Sequence, residues 1–145
     1  MDAIEMLKAE HKGAKNAMEQ ILKSPTAKIK GLFEALSKDL ETHDRIEEQI
    51  FYPAVKANPK AAAFPAIDKK AHLEVEAALA RLKTFSTESK EWIPAFKAMQ
   101  EKLLKHVAQE ETDFFVAIRT FLNSTELNEL GVKMKNGKKE LVKVA

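Results

Sequence analysis

Cysteine is absent from this 145-residue chain, which removes disulfides, zinc-thiolate sites, iron-sulfur clusters and thiol catalysis at once. Glycine (4) and proline (5) are scarce while Ala, Leu, Lys and Glu abound, so intrinsic preference favours helix over sheet. No 18-residue apolar run and no N-terminal signal pattern occurs, so neither a membrane span nor export is expected and the expected location is the cytoplasm. Neither sign of charge dominates. A formal net charge of +2, with acids and bases mixed along the chain, leaves no nucleic-acid footprint before the C-terminus. The stretch 133–145, KMKNGKKELVKVA, is basic and reads as a solvated tail or short surface helix. The 45% hydrophobic content suffices for one core, so the expected class is all-α in a single soluble domain.

Four amphipathic segments are separated by helix-ending punctuation at Ser24-Pro25-Thr26, Asn58-Pro59 and Ser86-Thr87-Glu88-Ser89. They span about residues 2–23, 27–57, 60–85 and 90–122. Such short connections make each helix double back beside its predecessor, giving an up-down-up-down antiparallel four-helix bundle over 1–122. Asn123 and Glu126 have capping-box spacing, so 123–145 is expected to hold a short fifth helix through Met134 and the basic tail. Pro53 should kink the second helix or end it early, and Pro65 allows the third helix to begin near residue 65.

Steps of three and four define the inward seam of each helix. In the first they give Ile4, Leu7, His11, Ala14, Met18 and Ile21, and in the second Ile29, Phe33, Leu36, Leu40, His43, Glu47 and Ile50. The third is less regular: His72, then Val75 or Glu76, then Leu79 and Leu82. The fourth gives Phe96, Met99, Leu103, His106, Glu110, Phe114, Ala117 and Phe121. Every histidine thus faces the core, one per helix, and three are followed at i+4 by glutamate: His43/Glu47, His72/Glu76 and His106/Glu110. Residues four apart stand one above the other, so each pair can present an imidazole and a carboxylate to one point. Each histidine lies roughly 12 to 16 residues, or ~18 to ~24 Å, from its neighbouring turns, which brings all four to one layer.

A lone seam histidine is ordinarily a core residue hydrogen-bonded to a neighbour. Buried carboxylates differ, because an unpaired ionised carboxylate in a core costs several kcal/mol. Four imidazoles and three carboxylates in one layer need positive charge, and no lysine or arginine shares those seam positions. A metal centre supplies it. Seven donors exceed the four of a structural zinc site, and the imidazole share is wrong for calcium or magnesium. Mixed imidazole and carboxylate donation from four bundle helices suits two iron ions, with manganese second.

The pattern His11, His43-x-x-x-Glu47 followed by Phe51-Tyr52-Pro53, His72, and His106-x-x-x-Glu110-Glu111 resembles the hemerythrin-like (HHE cation-binding) domains across residues 3–122. The resemblance implies two irons, with His11 and His43 on one, His72 and His106 on the other, and Glu47 and the acid after His106 as bridges. Oxygen-carrying members place that acid five residues after the histidine, here Glu111, and many bacterial relatives place it at four, here Glu110. Seam geometry favours Glu110. Carriers also have His-x-x-x-His on the third helix, where this chain has His72-x-x-x-Glu76. A carboxylate there adds negative charge, stabilises the ferric state and disfavours simple reversible O2 binding; Glu76 as an outer-shell group, or on the surface with Val75 in the seam, are the other readings.

The expected ligand is therefore H2O2, O2 or NO, bound in a dry pocket walled by Phe51, Tyr52 and Phe114. An oxidoreductase that decomposes peroxide leads, ahead of a non-catalytic O2 or NO binding, sensing or iron-storage module. A monomer or weak dimer is expected.

Overall fold

The structure, a computed structural model, describes the backbone of residues 1–144 and the side chains of residues 1–141. The described residues form helices and turns with no strand. The first column is α1 (Ala3–Lys23). The second is α2 (Thr26–Ile46), a π-helical segment (Glu47–Phe51) and α3 (Tyr52–Lys56). A 3-10 turn (Pro59–Ala61) leads to α4 (Phe64–Leu82), the third column. The fourth is α5 (Trp92–Gln109), a second π-helical segment (Glu110–Phe114) and α6 (Phe115–Phe121). α7 (Ser124–Val144) follows.

Local chemistry explains the boundaries. Asp2 caps α1 in a reciprocal capping box with Glu5: its carboxylate accepts from the Glu5 amide at 2.8 Å, and Glu5 accepts from the Asp2 amide at 3.3 Å. The same device starts α7, where Asn123 accepts from the Glu126 amide at 2.8 Å and Glu126 accepts from the Asn123 amide at 3.1 Å. Ser24-Pro25 separates α1 from α2, and Pro65 stands in the first turn of α4.

Two expectations change. Pro53 does not end the second column early, because the π segment before it adds a residue to the turn and the Tyr52 amide reaches back to the Glu47 carbonyl, so that helix continues to Lys56. The fifth helix does not stop near Met134. It runs through the basic stretch to Val144, although the side chains of 142–145 lie outside the described residues.

Two apolar clusters fill the bundle, with the polar layer between them. One end is packed by Met18, Phe33, Leu82, Trp92, Phe96 and Met99, with Phe33 edge-on to the Trp92 ring at 5.4 Å between centroids. The other holds Ile4, Leu7, Phe51, Tyr52, Phe114, Phe115 and Ile118, joined by Leu127, Leu130 and Met134 of α7. Burying one such side chain contributes about 1.5–3 kcal/mol, so α7 is anchored as part of the core. Gly131 lets it approach the N-terminus, since a Cβ there would lie 2.7 Å from the Met1 carbonyl oxygen.

Candidate metal centre

All four histidines, Glu47 and Glu110 are buried and meet in one layer. His43 Nε2 lies 2.7 Å and His72 Nε2 3.3 Å from the same oxygen, Glu47 Oε1. Glu110 spans the other pair, with Oε1 3.1 Å from His11 Nε2 and Oε2 3.1 Å from His106 Nε2. The His11 and His43 rings are 5.0 Å apart and the His72 and His106 rings 4.8 Å, so the imidazoles form two pairs with a carboxylate joining them on each side.

Both glutamates open a π-helical segment. A π turn inserts one residue, and from there the buried positions move forward by one: Phe51, Tyr52 and Val55 face inward where the regular seam expected Ile50, and Ile118 is buried where it expected Ala117.

The imidazoles are oriented from behind. Glu111 Oε2 accepts from His11 Nδ1 at 2.7 Å, and Glu10 Oε1 accepts from His43 Nδ1 at 2.8 Å. Glu111, expected as the second choice for a bridge, thus stands behind His11, and Glu110 lies between His11 and His106. Asp68 Oδ1 lies 3.3 Å from His106 Nδ1, and its other oxygen accepts the Tyr52 hydroxyl.

Glu76 is not in the layer. It is exposed because Val75, at the three-residue step from His72, takes the seam together with Leu79 and Leu82. Asp68, four residues before His72 on the same seam, brings the further carboxylate instead. Asp44 also approaches, 3.5 Å from His72 Nε2. The seam followed backwards from His72 would have found Asp68; Asp44 and Glu10 adjoin histidines but have no spacing to distinguish them from surface acids.

Phe51, Tyr52 and Phe114 are buried on the side of the layer facing α7. Phe51 and Phe114 meet at 5.8 Å, and Tyr52 stacks on His72 at 5.9 Å. Two cavities reach the layer, a smaller one of about 160 Å³ beside Asp68, His106, Glu110 and Phe114 and a larger one between α1 and α2. The larger, of about 270 Å³, reaches His11, His43 and His106 between apolar walls that include Ala14, Ala17, Leu40 and Leu103, with Glu10 and Lys138 at its margin.

Electrostatics match a site built for cations. Burial pulls the His43 imidazole down, but Glu47, Glu10 and Glu110 together hold it well above its ordinary value. Burial likewise opposes protonation of His72, which Glu47 and Asp44 nevertheless raise to about 9. Burial pushes Asp44 up to about 6, and burial with the neighbouring Glu110 and Glu47 carboxylates pushes Asp68 up as well. Glu10 goes the other way: against the effect of burial, hydrogen bonds from His43 and Lys138 bring it down to about 2.

Among the described residues, five buried side-chain atoms make no hydrogen bond: His11 Nε2 and both carboxylate oxygens of Glu47 and of Glu110. They approach their neighbours closely yet lack hydrogen-bonding geometry, as donors do when they converge on a shared point. Leaving such atoms unsatisfied is expensive. Among the described residues, Asp68/His72/His106/Glu110, His11/His43/Glu110 and His43/Asp44/Glu47 each bring their donor atoms within 4.8 Å of one another, a spacing that fits metal ions.

Comparison with known proteins agrees. A solved structure of a hemerythrin HHE cation binding domain-containing protein from Mycobacterium kansasii superposes with a TM-score of 0.87 at 27% identity, over 97% of this chain and 86% of that one. A DNA nickase of Nostoc sp. is 27% identical over 115 residues, 79% of this chain but 32% of the relative, so the chain spans about a third of that protein's length. The family model described as the hemerythrin HHE cation binding domain matches residues 2–118, and the chain belongs to that family.

Proposed function

We propose that the layer holds two iron ions and decomposes hydrogen peroxide. The single observation that carries this reading is the set of five unpartnered, buried donor atoms on His11, Glu47 and Glu110, aimed into a layer of four imidazoles. In this reading His11 and His43 hold one ion, His72 and His106 the other, and Glu47 and Glu110 bridge. Asp68 and Asp44 are the additional carboxylates within reach, and Glu76 has no ligand role.

Two irons, when bound, supply reversible electron exchange with peroxide. The net reaction, 2 H2O2 giving 2 H2O and O2, balances without an outside electron donor. The chain's own groups arrange the rest. Glu111 and Glu10 fix the His11 and His43 rings so that Nε2 faces inward. Asp68, pushed towards its protonated form beside Glu110, and the Tyr52 hydroxyl bonded to it would hold protons next to the layer, given up as one peroxide is reduced to water and regained as a second is oxidised to O2. The aromatic cluster of Phe51, Phe114 and Phe115 excludes water from one side, and the larger cavity admits a molecule the size of peroxide from the other.

The apolar walls of that cavity also suit O2 or NO, which favours non-catalytic diatomic binding as the second reading. DNA nicking is named for a relative of which this chain spans 32%.

Metal analysis and the visible spectrum of aerobically purified protein, before and after H2O2, test the proposal. Two irons per chain, with oxo-bridged charge-transfer bands that recover as O2 evolves, are expected. A stable oxy or nitrosyl adduct without peroxide turnover would select the second reading, and a folded protein without stoichiometric metal would overturn both.

A further inference from the structure

The basic C-terminal helix approaches the centre. α7 lies beyond residues 2–118, the stretch that the family model matches. Its Lys138 ammonium donates to Glu10 Oε2 at 2.7 Å, and the other oxygen of that carboxylate accepts from His43 Nδ1 at 2.8 Å. His43 in turn presents Nε2 to Glu47 at 2.7 Å. One carboxylate on α1 therefore links an ammonium on α7 to an imidazole on α2.

The geometry is imposed by packing rather than by the surface pair itself. Lys138 follows Leu127, Leu130 and Met134, which are all buried in the apolar cluster, so the helix that carries it is fixed. The Glu10 side chain is only 24% exposed, which shields its bonds more than those of an ordinary surface ion pair. The other imidazole of this pair has a different partner, Glu111, which bonds His11 Nδ1 at 2.7 Å and for which no bond to α7 is seen among the described residues. Lys138 also stands at the margin of the cavity that leads to His43.

We propose that Glu10 and Lys138 are positioning residues for His43, through which the C-terminal helix sets how tightly the His11/His43 side of the centre retains its metal. The inference rests on the metal reading above. A glutamate bonded at Nδ1 fixes the ring and its tautomer, and loss of such a partner typically weakens metal binding about 10- to 100-fold. Lysine holds the glutamate, so its effect must pass through residue 10.

The test loads full-length protein with iron and follows its removal by a ferrous chelator under reducing conditions, with helicity checked by circular dichroism. Glu10→Ala should release one of the two irons about 10-fold faster, while the second iron leaves at the wild-type rate. Lys138→Met should release that same iron a few-fold faster, and Lys138→Arg should restore retention. The double variant should match Glu10→Ala alone, because the lysine acts through the glutamate. Lys135→Met, an exposed lysine on the same helix, controls for lost charge. Additive effects of the two substitutions, equal effects of Lys138→Met and Lys135→Met, or equal acceleration of both irons would overturn the proposal. Failure of the metal reading shows separately, as wild-type protein that takes up no iron, and would remove both.

Discussion

Residues 43–51 and 106–114 carry the same pattern, His-x-x-x-Glu-Glu-x-x-Phe, and each passes into a π-helical segment at its first glutamate. The two segments face each other across the layer. Glu47 joins His43 to His72, and Glu110 joins His106 to His11. The ring that follows each phenylalanine stacks on the histidine opposite: Tyr52 on His72 and Phe115 on His11, both at 5.9 Å. Around this shared frame the surroundings diverge. Glu111 grips His11 at 2.7 Å, whereas its counterpart Glu48 stays 3.8 Å from His72. Tyr52 brings a hydroxyl that Phe115 lacks, and spends it on Asp68. A repeated helix feature thus sets where the two glutamates stand, while unrepeated neighbours make the pairs differ: a close carboxylate braces His11, and the Tyr52 hydroxyl with Asp68 adjoins His72 and His106.

The comparison breaks most completely at the shared glutamates. Glu47→Ala or Glu110→Ala each removes a carboxylate facing both histidine pairs, so in the two-iron proposal both variants should lose both ions, with affinity falling more than ~100-fold, beyond the effect of removing a residue that only orients a ligand. Iron per chain after gel filtration reads this directly.

Acidity separates metal-free from loaded protein. His72 has its folded value raised to about 9, and His43 is raised too, so their contribution is fully present below the unfolded value of about 6.5 and is lost as pH rises towards 9. Each unit of such a rise is worth about 1.4 kcal/mol. The melting temperature of metal-free protein should therefore fall from pH 6.5 to 9, while iron retention improves over that window because the metal displaces those protons. Calorimetry at matched pH, with and without iron, checks both.

The unequal second glutamates give the next contrast. Glu111→Gln should loosen iron about 10-fold, and Glu48→Gln should leave it unchanged, as measured by chelator competition. Tyr52→Phe, which makes the two sides alike, should cost about 1 kcal/mol of stability in urea unfolding, the worth of one lost hydrogen bond.

Much of this was legible in the residues. Seam stepping placed four histidines, Glu47 and Glu110 in one layer, because regular helices convert spacing into direction. It failed where regularity did. The π turns are invisible to a 3.6-residue period, so Ala117 was expected inward where Ile118 is buried. Glu76 shared the i+4 spacing of the buried glutamates Glu47 and Glu110, but Val75 beside it is apolar and took the buried position. Asp68 precedes its histidine rather than following it. Lys138 lies 128 positions from Glu10, and no local signal connects residues so far apart.

That separation also orders the assembly of the centre in time. Every donor of the layer is made by residue 110, whereas Glu10 must wait for Lys138. At about 5–20 residues per second, synthesis of the intervening stretch takes ~1 to 6 s. A nascent chain would pass through an interval with every imidazole already translated and the brace on His43 still missing.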